Sequence, residues 1–215
     1  MSGMYESSGV MQLDVPMRIE PLKIEGAFTL TPQLHGDPRG LFFEWFKAPV
    51  FVQAAGHDLT LSQANCSVSS RGTLRGIHYA DVPPGQAKYV TCLAGRVLDI
   101  VVDIRVGSPT FGTWDSVELD TDTRRVVYLS EGLGHGFVAL EDNSTVVYLC
   151  STTYNPSGEH EIDPFDADLD IDWGVARQDA SLSAKDAAAP GLHAARKAGL
   201  LPDYHECLGY RSSLT

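Results

Sequence analysis

An arginine, a histidine and a lysine fall within the fourteen residues Arg75-Gly76-Ile77-His78-Tyr79-Ala80-Asp81-Val82-Pro83-Pro84-Gly85-Gln86-Ala87-Lys88. Imidazole titrates near neutrality, so His78 is a candidate general base. Arg75 and Lys88 are fixed cations, able to hold an anion or to stabilise negative charge that develops on oxygen. A base and two cations sharing one pocket suit proton transfer on an anionic or enolisable substrate. A solitary His78 reads as a satisfied loop or core histidine; its company with Arg75 and Lys88 keeps the chemical reading open. Gly76 and the Pro83-Pro84-Gly85 turn predict a strand, a tight loop and a second strand that begins with Lys88-Tyr89-Val90-Thr91-Cys92-Leu93.

A second histidine lies in Gly132-Leu133-Gly134-His135-Gly136-Phe137, where glycines permit close backbone approach. Two histidines on neighbouring strands raise the question of a metal. A barrel metal site commonly joins a His-x-His pair, a glutamate a few residues on and a distant histidine. Here Tyr79 and Ala80 follow His78, and the position ten residues on is the cation Lys88. The expectation is therefore no metal and acid–base chemistry alone. A histidine base works best when a carboxylate orients its ring. Nothing near His78 in sequence does so, although Asp170-Ile171-Asp172-Trp173 offers candidates if the chain returns to the site.

Tyr148 and Tyr154 are six residues apart and would share one face of a continuous strand, as phenolic acids or as ordinary packing. Leu41-Phe42-Phe43-Glu44-Trp45-Phe46 reads as a strand apolar on both faces, suited to a core or a subunit interface. Glu44 on that strand is either a rim carboxylate or a polar contact beside Phe42.

The elements that position these residues read as strands. Expected spans are 59–68, 72–79, 88–93, 96–105, 112–119, 124–129, 136–140 and 145–154, with turns every 8–12 residues. In 97–105, Leu98, Ile100, Val102 and Ile104 line one face while Asp99, Asp103 and Arg105 lie on the other. Short helices are expected at 49–56 and 190–197, and Ser183-Ala184-Lys185-Asp186 has the spacing of a capping box. Many short strands and little helix indicate an all-β sandwich or barrel, not alternating strands and helices. Residues 1–16 are patternless and read as a tail; 17–215 read as one domain.

The 215 residues carry a net charge of −12, which argues against nucleic-acid or anionic-membrane binding. No run approaches the ~18 apolar residues of a membrane span. The N-terminus has neither the basic nor the apolar region of a signal peptide. Cys66, Cys92, Cys150 and Cys207 form no C-x-x-C pair and read as reduced thiols, so a cytoplasmic location is expected.

Taken together, the motifs resemble the dTDP-4-dehydrorhamnose 3,5-epimerase family of deoxysugar biosynthesis. The resemblance is carried, in the family's order, by Asp37-Pro38-Arg39-Gly40-Leu41-Phe42-Phe43-Glu44-Trp45, Gln63-Ala64-Asn65, Leu74-Arg75-Gly76-Ile77-His78-Tyr79 and Gln86-Ala87-Lys88. It continues through Asp103 to Gly112, Gly132 to Phe137, Thr145-Val146-Val147-Tyr148, Tyr154-Asn155-Pro156 and Ile171-Asp172-Trp173. Gly134 stands where the family more often has alanine. The resemblance implies a metal-free, cofactor-free cupin-type jelly roll that dimerises and acts on a dTDP-4-keto-6-deoxyhexose. It implies His78 as base, Asp172 as its carboxylate partner, Tyr148 as the acid on the opposite face and Lys88 as the enolate's donor. Arg39 and Arg75 would hold diphosphate or sugar, while Gln63, Asn65, His135 and Tyr154 would line the pocket. Phe42 and Glu44 would reach the thymidine from across the dimer.

Whether C3, C5 or both are inverted depends on the pose of the ring. Two other readings stay open at this level: a cupin ketoisomerase of the same sugar-nucleotide class, and a non-catalytic sugar-nucleotide-binding module.

Overall fold

The computed structural model describes residues 17–214; the expected tail, 1–16, lies outside the described residues. The chain begins with β1 (Met17–Pro21) and β2 (Ala27–Pro32), then a small hairpin of β3 (His35–Asp37) and β4 (Gly40–Phe42). Helix α1 (Ala48–Ala55) follows, with a proline in its first turn and Gly56 closing it at φ 84°. Next come β5 (Gln63–Ser69), β6 (Leu74–Ala80), β7 (Lys88–Ala94), β8 (Arg96–Val102) and β9 (Trp114–Asp120). They are followed by β10 (Val126–Leu129), β11 (Gly134–Ala139), β12 (Ser144–Cys150) and β13 (Glu159–Glu161). Three helices close the chain: α2 (Ala184–Ala187), α3 (Leu192–Lys197) and α4 (Tyr204–Ser212).

The strands pair antiparallel into a six-stranded sheet, β1-β2-β10-β7-β12-β5, and a five-stranded sheet, β13-β6-β11-β8-β9. Alternation along each strand explains the layers. Val90, Cys92, Val97, Val101, Val117, Val127, Phe137 and Val146 fill the space between the two sheets. Behind the five-stranded sheet, Leu74, Ile77, Tyr79, Ile100 and Ile104 pack against Ile162, Leu169, Trp173 and Leu192 of the C-terminal third. Behind the other sheet, Phe28, Tyr89 and Tyr128 pack against Val50 and Phe51 of α1. The two-layered all-β architecture is the one expected from the strand pattern, in the form of the cupin-type jelly roll that the resemblance implies.

Several expected spans are shorter than the sequence suggests. The aromatic strand of 41–46 stops at Phe42, because Trp45 and Phe46 turn back onto Tyr89, whose hydroxyl donates to the Trp45 carbonyl at 2.6 Å. The strand of 96–105 stops at Val102. There the Asp103 carboxylate takes bonds from Arg105, Ser108 and Thr110, which fold the chain into a buried turn. The strand of 145–154 stops at Cys150, so Tyr148 and Tyr154 do not share a continuous strand.

Helix α4 is tied to the beginning of the described chain. Tyr204 Oη and Arg211 Nη2 both donate to Glu25, at 2.5 and 2.6 Å. Arg105, itself paired with Asp103 at 2.8 Å, lies over the Tyr204 ring and donates to the Glu25 carbonyl.

Candidate active site

One cavity of about 290 Å³ opens between the two sheets, lined by residues from both. The six-stranded sheet contributes Gln63, Asn65, Lys88 and Tyr148. Register explains their convergence: Cys150 faces both Lys88 and Gln63, and Tyr148 faces both Val90 and Asn65. Lys88 and Tyr148 therefore stand in adjacent rows on the same inward face. The opposite wall carries Arg75 and His78 from β6.

Arg75 and His78 are three apart, a separation that in a regular strand would send them to opposite faces. Both face the cavity because β6 carries one extra residue there. His78 pairs with His135 and Arg75 with Phe137, so three steps on β6 match two on β11. Gly76 makes this possible. Its φ is +124°, and a Cβ there would lie 2.5 Å from Gly136 Cα and 2.7 Å from the His135 carbonyl oxygen.

His78 Nε2 lies 2.7 Å from a carboxylate oxygen, and the residue is Asp186, not Asp172. Asp172 is exposed, and its side chain accepts from the Gly174 backbone N–H at 3.0 Å. Its neighbour Trp173 is buried behind the five-stranded sheet with Nε1 donating to the Pro164 carbonyl, which holds Asp172 away from the face His78 projects from. Asp186 arrives by another route. Ser181 bridges to Thr73 beside the start of β6, and Ser183 then caps α2 by accepting from the Asp186 backbone N–H at 3.0 Å. Burial works against the Asp186 carboxylate's charge, but bonds from His78, the Ser183 hydroxyl and the Gly76 backbone outweigh it and lower its pKa. The capping-box spacing at Ser183 was the available signal for this residue.

Lys88 is buried, and burial lowers its pKa, with Glu159, Cys150 and Asp99 opposing the fall. Among the described residues no carboxylate comes within ion-pair distance of its ammonium group. Burial, then the nearby Cys150, raises the Tyr148 pKa, partly offset by a hydrogen bond with Asn65. Gln63 donates to Asn65 at 2.8 Å and accepts from the Tyr154 backbone N–H at 2.9 Å, and these bonds hold the amides at the mouth.

The cavity also gathers residues that motif spacing did not single out: Gln86, Glu159, Glu161 and Lys185, the last two ion-paired. His135 is placed differently from the expectation. It is buried, with Nε2 2.8 Å from Asp99, and pairs with His78 across β11 and β6 without being among the residues that line this cavity. Arg39, Phe42 and Glu44 lie outside this cavity. Arg39 pairs with Asp37 in the hairpin, Glu44 pairs with Lys47 at 3.2 Å, and Phe42 is 67% exposed. Among the described residues, no three His, Cys, Asp or Glu side chains gather as metal ligands.

A histidine and a tyrosine on facing walls have the placement that stereochemical inversion at carbon would use, and comparison with known proteins puts the molecule among enzymes of the epimerase type. A family model described as dTDP-4-dehydrorhamnose 3,5-epimerase matches residues 21–194, and the chain belongs to that family. It is 56% identical over 191 residues to the dTDP-4-dehydrorhamnose 3,5-epimerase of Mycobacterium tuberculosis, covering 88% of this chain and 95% of that one. It is 54% identical to a dTDP-4-dehydrorhamnose 3-epimerase of Streptomyces niveus, over 89% and 91% of the two chains. The solved M. tuberculosis rmlC epimerase superposes with a TM-score of 0.90 at 53% identity, over 93% of this chain and all of that one. ChmJ, a 3′-monoepimerase from Streptomyces bikiniensis solved with dTDP-quinovose, gives 0.86 at 48% identity, over 91% and 98%.

Proposed function

We propose that the protein inverts C3, C5 or both of a dTDP-4-keto-6-deoxyhexose by metal-free proton transfer through an enolate. One observation carries this reading: His78 and Tyr148 stand on different sheets, facing each other across a single cavity. A C4 ketone acidifies its neighbouring carbons, and His78, oriented by Asp186, removes a proton from one face. A positioned base contributes ~10²–10⁴-fold. Charge moves to the C4 oxygen, where the Lys88 ammonium donates; a donor of this kind is worth ~3 kcal/mol. Tyr148 returns a proton from the other wall, and the stereocentre is inverted. Its raised pKa keeps the phenol protonated and able to act as the acid.

Arg75, Gln63, Asn65 and Tyr154 serve as substrate contacts, joined by Lys185 at the mouth. His135 stands beside the base as its partner on the neighbouring strand. Arg39, Phe42 and Glu44 act on the partner's substrate in a homodimer. The exposed Phe42 and Leu41 of the hairpin and the open edge of β5 support this reading. Sedimentation should give twice the monomer mass. The four free thiols favour a reducing, cytoplasmic setting.

The test is incubation with dTDP-4-keto-6-deoxyglucose in D₂O, read by NMR. Deuterium at C3, C5 or both supports the epimerase and reports which carbons exchange. Label at neither would sink the reading, and a carbonyl moved to C3 would assign the ketoisomerase instead.

A further inference from the structure

Arg75, Lys88 and Lys185 are the lysine and arginine cations that line the active-site cavity. Among the described residues, neither Arg75 nor Lys88 has a carboxylate within ion-pair distance; Arg75 donates from Nε to the Ser69 hydroxyl at 3.2 Å. Lys185 differs, because its ammonium is ion-paired with Oε1 of Glu161. Glu161 lies on β13 directly opposite His78 of β6, and side chains opposite each other on paired strands share a face of the sheet. Its carboxylate therefore enters the same cavity as the base. The Glu161 side chain is 14% exposed, whereas Lys185, reaching it from α2, is 56% exposed. The bond to Glu161 is the largest of the influences that raise the Lys185 pKa.

A carboxylate is an unexpected lining for a site that takes a diphosphate. Glu159 and Glu161 both line the cavity, and negative charges at close range repel an anionic ligand. Glu161 does not serve the base, since Asp186 already lies 2.7 Å from His78 Nε2. An ion pair with one exposed, long side chain adds little to stability, so holding the fold does not account for it either. Among the described residues, Glu161 has Lys185 as its single ion-pair partner.

We infer that Glu161 is an internal counter-anion that competes with the substrate's diphosphate for Lys185: the lysine rests on Glu161 in the free enzyme, moves to the diphosphate as substrate enters and returns as product leaves. The inference rests on the reading of this cavity as the site of a dTDP-sugar. Exposure leaves the long Lys185 side chain free to change partners, while Asp186, the next residue, stays on His78. Substrate and product of an epimerisation carry the same diphosphate, so every contact that tightens one tightens the other. Breaking the Glu161–Lys185 pair on binding, and regaining it on release, keeps that shared affinity low.

Calorimetric titration with dTDP at low ionic strength reads the competition. Glu161→Gln keeps the shape and removes the charge, and should bind dTDP at least fivefold tighter than the parent. Repulsion by any nearby carboxylate has the same sign, so a double-mutant cycle with Lys185→Met separates the two. Competition predicts that Lys185→Met weakens binding at least threefold more in the Glu161→Gln background than in the parent, because only there is the lysine wholly available. Equal losses in the two backgrounds, or a Glu161→Gln protein that binds dTDP no tighter than the parent, overturn the inference. Should a variant not fold, a crystal structure of the unaltered protein with dTDP decides: Lys185 Nζ should lie on the diphosphate, and a lysine still paired with Glu161 refutes the exchange. If the parent binds no dTDP at millimolar concentration, the sugar-nucleotide reading fails and takes this inference with it. Binding with a flat cycle removes the inference alone.

Discussion

At the scale of single residues, the site turns on which carboxylate serves the histidine. Asp186 is buried against His78, whereas Asp172 is spent on a turn. Asp186→Asn should lower kcat roughly 10²-fold or more by removing the charge that orients and stabilises the imidazolium. Asp172→Asn retains an acceptor for Gly174 and should leave kcat within about twofold. Steady-state assays of the two variants side by side check this, and the reverse ranking would restore Asp172. A second carboxylate reports on stability. Burial opposes the charge of Asp103, but the bonds from Arg105, Ser108 and Thr110 prevail and hold its pKa below the ordinary value. A lowered folded-state pKa means that the stabilisation is complete above the unfolded value of ~3.9 and is lost as pH falls through the folded one. Melting temperature should therefore fall on acidification below about pH 4, and less steeply in Asp103→Asn. That variant should be less stable at pH 7, by ~3 kcal/mol, because it leaves Arg105 buried and unpaired.

At the scale of elements, the bulge in β6 decides whether Arg75 and His78 can cooperate. Gly76→Ala meets main-chain atoms of β11 that cannot step aside, and its φ is one that alanine resists. A loss of about 2 kcal/mol or more is expected in urea denaturation, together with a fall in activity larger than the stability loss explains. The bulge also marks what the sequence reveals and what it hides. An alternating strand such as Trp114–Asp120 and a short apolar run such as Val126–Leu129 are legible from the pattern, as are the turns between strands. The shared face of Arg75 and His78 is not, because a two-residue period assigns them to opposite sides. Asp186 was written in the sequence as part of a helix cap, but its approach to His78 depends on the Ser181–Thr73 bridge, a contact across 108 residues of chain. Phe43 to Phe46 misled for a related reason: aromatic residues favour strands, but packing onto Tyr89 and α1 outweighed that preference.

For the whole molecule, the division of labour between sheets matters most. On the proposed mechanism the base and the acid come from separate walls, so the sugar's orientation between them would select the carbon that inverts. Relatives at 54–56% identity include both a 3,5-epimerase and a 3-epimerase, which fits that view. The clasp between α4 and Glu25 has a different kind of consequence. Contacts spanning 179 and 186 residues join the last helix to the first pair of strands. Such long-range contacts are the slow part of folding. During synthesis Tyr204 follows Glu25 by 179 residues, so the link between β1 and β2 stays unfastened until α4 has been made. A chain ending at Pro202 should therefore refold to a less protected state, with faster amide exchange in residues 22–28 than in β7 or β8. Closure of the β1–β2 link, on that account, waits for α4.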